Sequence, residues 1–414
     1  MLQSIDNILR KSYMPLMTVV CLGLLCGHVV PIVSSFTLFH LCLAITVVLA
    51  LLFRDHPPRM FYIVAFYFLL YGVWTWAASM LWGDHVTAKE TLKFFSIPVL
   101  VIALLRVMLV SPRKMLEVLF YVSVTYLLTM VVMGCVGHFI GWHLPTSASY
   151  MAPNEELHMA TGLCYNPNDY SVLLVMAALY IFAYSSQFLP KRWIALGFAA
   201  IGVCIPLLLW NDCKTGLGVS ALAVLYYFFS KIKNHKVSVA IIIAAVVASV
   251  IAIVYNHGIL GARFNIYGAS ITSLYDSYGI GFGINGDMNY LSNLNNYNIT
   301  QGLTNAHSYL LQILYTSGLP IFLLYCIMMV WIMRCSSQNG RNLFWLSPVL
   351  YLLMLFCPSS SLYLWGHYVF FCAYVCYAAF ALNYRDFYKS SQRVETINNT
   401  ERKSSGLSGR VQLP

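Results

Sequence analysis

Charge is what this chain has least of. Only 9% of its 414 residues are charged, whereas 60% are hydrophobic and the mean hydropathy is +0.72. Soluble globular domains carry about 25% charged residues, so lipid must be the solvent for most of the chain. Metal-ligand spacing is also missing. The twelve cysteines form no C-x-x-C pair, and the eleven histidines no H-E-x-x-H. Most cysteines lie inside apolar runs, as small polarizable membrane-core residues do. No cleavable leader is expected, because the apolar run after Arg10-Lys11 is followed at once by others. The absence of an internal repeat gives no support to a transporter built from inverted repeats.

What is present is a series of apolar runs near the length of about 20 residues that crosses a bilayer. Twelve candidate spans are expected, at about 14–32, 36–53, 60–82, 93–110, 115–140, 169–188, 193–210, 215–230, 237–255, 307–333, 343–357 and 366–383, the eleventh of them short. The architecture is an all-α polytopic membrane protein. Lys and Arg in short flanking loops set orientation. With both termini in the cytoplasm, Arg10/Lys11, Arg54/Arg59, Arg113/Lys114, Lys191/Arg192, Lys231/Lys233/Lys236, Arg334/Arg341 and the tail all lie inside. Of 24 basic residues, only Lys89, Lys93, Lys214 and Arg263 fall outside. The net charge of +10 is thus a topology signal, with no nucleic-acid partner implied. The tail from 384 to 414 is polar, with the composition of a disordered cytoplasmic segment.

Three outer segments exceed simple turns: 141–168, the short N-D-C-K-T-G at 211–216, and a long Asn-, Tyr- and Gly-rich loop at 256–306. Connections of that length are usually functional. Lys214 stands at a mouth between two spans, where it either pairs with Asp212 or faces a polyanion. Arg263 follows the ninth span, as an anchor to lipid headgroups or as a guanidinium clamp on phosphate. His307 opens the tenth span, in N-A-H-S-Y-L-L-Q-I-L-Y-T-S-G-L-P-I, where Asn305 or Ser308 can cap the helix. Histidine is also the side chain best suited to proton transfer near neutrality. Together the histidine, arginine and lysine suit removal of a proton from a sugar hydroxyl and stabilisation of a departing diphosphate. Asn166, Asn168 and Asp169, in N-P-N-D, either cap the sixth span or bind substrate. Glu155 and Glu156 suit a sugar, a cation or an exposed loop face, and the 275–300 region mixes Tyr and Asn as sugar-binding surfaces do. His367 reads as a helix start.

The stretch from His307 to Ile321 resembles the signature of the O-antigen ligase and O-antigen polymerase superfamily, in which a His and a polar residue precede nine residues and a Gly. Here the spacing holds through Gly318, but the final Gly, Thr or Tyr of the pattern is Ile321. T-G-L-C-Y-N-P-N-D-Y-S at 161–171, G-A-R-F-N-I-Y-G-A-S-I around Arg263, and the following Y-G-I-G-F-G-I-N-G resemble further segments, so the likeness covers about 155–335. It implies a GT-C-like, metal-independent inverting glycosyltransferase, cofactor-free, in the bacterial inner membrane. Residues 1–383 would form its transmembrane domain, with the periplasmic face active. The donor implied is an undecaprenyl-diphosphate-linked glycan. The acceptor is another lipid-linked repeat unit for an O-antigen polymerase, or lipid A-core for a ligase of lipopolysaccharide biosynthesis. His307 then takes the catalytic base position and Arg263 contacts diphosphate. Lys214 stands where the family has a second arginine, keeping the charge without the fork, and its C-K-T-G setting tilts the reading toward polymerase. Asn166, Asn168 and Ser308 complete the expected substrate-binding set. A flippase is the rival from another class, but it calls for charges buried mid-span, whereas these cluster at the outer mouths.

Overall fold

Backbone amides in lipid must find partners within the chain, so uncharged apolar runs close into helices. The computed structural model describes residues 11–27, 30–33, 36–53, 55–83, 86–144, 158–164, 166–230, 262–295, 308–339, 342–356 and 363–383. In chain order the helices are α1 (Tyr13–Cys26), α2 (Leu38–Leu52), α3 (Arg59–Leu81), α4 (Ala88–Met108), α5 (Pro112–Ile140), α6 (Pro167–Phe188), α7 (Ile194–Trp210), α8 (Lys214–Phe229), α9 (Ala262–Asp276), α10 (Gly286–Asn295), α11 (Tyr309–Ser336), α12 (Leu343–Phe356) and α13 (Gly366–Asn383). Seven are long and apolar enough to cross a membrane, counting α7 with its 3-10 lead from Lys191, and four more are shorter apolar helices. The chain is an all-α polytopic membrane protein. Every candidate span has its helix except 237–255, which lies outside the described residues, as does the tail 384–414.

Two expectations change. The first span stops at Cys26, short of 32, and Pro31–Val33 pairs antiparallel with Phe36–Thr37 as a small ribbon (β1 and β2). Pro31 has no N–H to continue a helix. The 256–306 segment is also more than a loop, because its described part forms α9 and α10 joined by a glycine-rich turn.

The most buried helices are α6 and α13, with 78% and 83% of their apolar windows enclosed. Around them, α1 packs on α2 and α5, α3 on α4 and α11, and α12 on α6, α8 and α11. Hydrogen bonds show which helix ends lie together. At one end the Tyr13 hydroxyl donates to the Val107 carbonyl (3.1 Å), Arg106 donates to the Phe53 carbonyl, and Tyr180 donates to Leu116 (2.9 Å). At the other, Trp365 Nε1 donates to Ser96 Oγ (3.2 Å) and Asn285 Nδ2 to Glu90 Oε1 (2.9 Å). The described basic residues divide accordingly. Lys11, Arg59, Arg106, Arg113, Lys114, Lys191, Arg192 and Arg334 share the first end, while Lys89, Lys93 and Lys214 share the second.

Candidate functional site

The second end of the bundle is organised around a break in α11. At Gly318 the helix leaves α geometry (φ 71°, ψ −172°), a conformation open essentially to glycine alone. Two residues on, Pro320 offers no N–H to the Thr316 carbonyl. Leu319 N–H turns away and donates to the Gly279 carbonyl at 2.9 Å, which frees the Tyr315 carbonyl as well. Both freed acceptors are taken by the glycine-rich turn. Phe282 N–H donates to Tyr315 (2.8 Å) and Gly283 N–H to Thr316 (2.9 Å). The accounting of backbone groups therefore closes, as it must at membrane depth.

Glycine is required for this approach. A Cβ on Gly318 would run into the Gly279 carbonyl and Ile280, and one on Gly281 into the backbone of Ser317 and Gly318. The turn is held from its other side by α3. Trp74 Nε1 donates to the Ile280 carbonyl (3.1 Å), Trp82 Nε1 to the Gly281 carbonyl (2.8 Å), and Ile284 N–H to Ser79 Oγ (2.7 Å). Asn285 reaches Glu90 in the first turn of α4, where Glu90 also completes a capping box with Thr87.

This unit carries two of the expected site segments. Arg263 is the second residue of α9, and its side chain lies outside the described residues. One turn later, the Ile266 carbonyl accepts the Tyr315 hydroxyl at 2.8 Å, which ties α9 to α11. His307 lies outside the described residues, immediately before Ser308. Ser308 is fully buried and caps α11, accepting from Leu311 N–H at 3.4 Å. Its geometry serves the start of the helix.

The other expected residues belong to a second unit on the same end. Asn166 is the N-cap of α6. Its Oδ1 accepts from Asp169 N–H (2.8 Å), and its Nδ2 donates to Asp169 Oδ2 (2.9 Å). Asn168 is half-buried in the first turn of α6. Lys214 opens α8, exposed, with Nζ 3.3 Å from the exposed Asp212 carboxylate. A cation at a helix N-terminus opposes the macrodipole, so this lysine is not there to stabilise α8. Glu155 and Glu156 lie outside the described residues. No contact joins Lys214 directly to the α9–α11 unit among those given for the described elements. The link runs through the bundle core, from Asn211 and Ser171 on α7 and α6 to Gly366, which packs on Leu173, and to His367, which packs on Tyr309.

Three structural residues at this end had no assigned part in the sequence reading. Asn211 is buried and holds the 158–164 segment, accepting Ala160 N–H (2.8 Å) and donating to the Ala160 carbonyl (2.7 Å). His367, read only as a helix start, is fully buried. Its Nδ1 lies 2.8 Å from the Tyr351 hydroxyl, its ring stands edge-on to Tyr309, and Nε2 has no partner among the described residues. Trp82 anchors the glycine turn. A signal for that turn was present in the alternating glycines of G-I-G-F-G and in the G-L-P at 318–320, but nothing in either segment names the other as its partner. Outside the spans, burial and the nearby Asp169 push the Cys164 thiol well above its ordinary pKa, so it is not a reactive thiolate.

No family model matches the chain. It is similar to the teichuronic acid biosynthesis protein TuaE of Bacillus subtilis (strain 168), being 22% identical over 342 residues that cover 74% of this chain and 68% of that protein.

Proposed function

We propose that the chain is an inner-membrane glycosyltransferase that polymerises undecaprenyl-diphosphate-linked repeat units of a surface polysaccharide. A part in surface polysaccharide biosynthesis is suggested by the similarity to a protein named for teichuronic acid biosynthesis. The observation that carries the finer reading is the union of α9, the glycine turn and α11. It joins α9, of which Arg263 is the second residue, to α11, which begins two residues after His307, and this supports a shared site for two residues 44 apart in sequence. The positive-inside rule assigns the arginine-rich end to the cytoplasm and this unit to the periplasmic face.

In this mechanism an acceptor sugar hydroxyl attacks the anomeric carbon of the donor from the face opposite its diphosphate. A new glycosidic C–O bond forms as the C–O bond to phosphate breaks, and the configuration inverts. His307 takes the hydroxyl proton, and undecaprenyl diphosphate leaves with the bonding pair. Arg263 offers two parallel N–H donors to the diphosphate as its charge grows. Lys214 contributes a point charge by exchanging Asp212 for phosphate, which its exposure permits.

The test uses a null strain carrying single variants. His307→Ala and Arg263→Ala are expected to abolish polymer while the protein inserts and accumulates normally; wild-type glycan ladders from either would sink the assignment. In the null strain itself, a single repeat unit on the acceptor marks a missing polymerase. Lipid-linked polymer that accumulates untransferred marks a ligase instead.

A further inference from the structure

Tyr278 sits at the tip of the glycine turn with 85% of its surface exposed and a left-handed backbone (φ 51°). Bulky residues rarely adopt that region, where glycine or asparagine sits more easily. Strain of this kind persists only where the surroundings impose it, and it clusters at ligand clamps. The exposed ring contributes nothing to the core. It lies parallel to the Trp82 indole, with 1° between the planes and 6.5 Å between centroids. The indole cannot swing freely, because its N–H is bonded to the Gly281 carbonyl at 2.8 Å. Phe282 packs 5.4 Å from Trp82 and stacks on Tyr290, whose hydroxyl donates to Asp276 Oδ2 at 2.6 Å. Glu90 and Asn285 stand at the other edge of the same turn.

A held indole and an exposed phenol in parallel planes, on a turn that also carries Asn285 and is flanked by Glu90 and Asp276, match the chemistry of a sugar. The C–H face of a pyranose is slightly positive and rests on the negative π face, while its hydroxyls donate to carboxylates and bond with amides. Lys89 and Lys93 lie on the Glu90 side of the turn, but a phosphate would also meet the Glu90 and Asp276 carboxylates, whereas a neutral sugar meets no such repulsion. We propose that Trp82 and Tyr278 form a carbohydrate platform at this rim, holding a sugar ring of the glycan beside the α9–α11 unit. The proposal rests on the glycosyltransferase reading and adds a binding subsite to it. Exposed Trp and Tyr also line membrane–water interfaces. A belt residue, however, needs neither a locked indole nor a left-handed backbone.

Tyr278→Gly separates the two roles, because glycine accepts the backbone and removes the ring. The full chain in lipid nanodiscs would be titrated with the repeat-unit oligosaccharide released by mild acid from the host's own lipid-linked intermediates, with binding followed by saturation-transfer NMR. Wild type and Tyr278→Phe are expected to bind alike, and Tyr278→Gly about five- to tenfold more weakly, as for loss of one aromatic contact, with no fall in melting temperature. Equal affinity in Tyr278→Gly overturns the platform and leaves the polymerase reading standing. Unchanged affinity with a lowered melting temperature makes the pair a membrane anchor. Absence of binding by wild type also overturns the platform, and if the null strain's glycan is normal, the glycosyltransferase reading falls with it.

Discussion

Replacing Gly318 by alanine tests how the rim is built. Alanine at φ 71° and ψ −172° costs about 1–3 kcal/mol for this glycine-only backbone alone. Its Cβ would also displace the Gly279 carbonyl and Ile280, so the turn must lift off α11. Three backbone hydrogen bonds are then lost: Leu319 to Gly279, Phe282 to Tyr315 and Gly283 to Thr316. At about 1 kcal/mol net each, the sum reaches roughly 4–6 kcal/mol, concentrated in one turn rather than spread through the bundle. Straightening α11 re-pairs Leu319 with Tyr315 but leaves Thr316 without a donor, because Pro320 has none. Hydrogen exchange by mass spectrometry should show the 277–286 segment exchanging about a thousandfold faster, at ~1.4 kcal/mol per decade, with α6 unchanged. Gly268→Ala is the control. Nothing lies within 4 Å of its Cβ, and an exposed helical Gly→Ala change should gain about 1 kcal/mol. If Gly318→Ala exchanged like wild type, the coupling of turn and broken helix would be refuted.

Asn211→Ala removes the partner of both Ala160 backbone groups in a buried setting, at a cost of about 2–4 kcal/mol; a lower melting temperature and new proteolytic cleavage within 158–164 are the readouts. Lys214→Arg should keep polymer synthesis and Lys214→Ala should lose most of it, while neither moves stability by more than about 0.5 kcal/mol, because the Asp212 pair is exposed. A full-length glycan ladder from Lys214→Ala would reduce Lys214 to a topology signal. Burial and the hydrogen-bonded Asp276 raise the Tyr290 pKa, so the folded chain keeps that proton at a pH where the unfolded chain releases it. Its contribution is therefore complete below about pH 10 and is lost as pH rises beyond. Tyr290→Phe should flatten the alkaline limb of a melting-temperature profile, and an unaltered limb would count against the pairing.

The spans were legible because apolar length is a local property of sequence, and helix starts were legible for the same reason. Asn166 and Ser308 sit where short polar side chains meet free backbone amides, and both are caps. The ion pair of Lys214 with Asp212 was legible as one of two readings, since only Cys213 lies between them. The small ribbon at Pro31–Thr37 and the helices α9 and α10 were not. Mean hydropathy averages Pro31 into an apolar window without reporting its missing donor, and α9 and α10 carry enough Asn, Tyr and Ser to pass for loop. The burial of His367 depends on Tyr309 and Tyr351, which reach it from other helices.

Contacts between backbones leave the faintest trace of all, because their only requirement on side chains is that none intrude. Gly281 and Gly318 meet this requirement from positions 37 residues apart in sequence. A membrane helix can be interrupted only where protein re-satisfies its freed groups, so the glycine turn is a condition for the break and the break a condition for the turn's docking. The nine-residue interval from Ser308 to Gly318 then acquires a physical meaning. It is the length of helix, about 15 Å at 1.5 Å per residue, that separates the capped start of α11 from the point where α9's connection is clamped. Changing that length by one residue would rotate the start of α11 by about 100° against a clamp that cannot follow, while leaving the hydropathy of the span untouched.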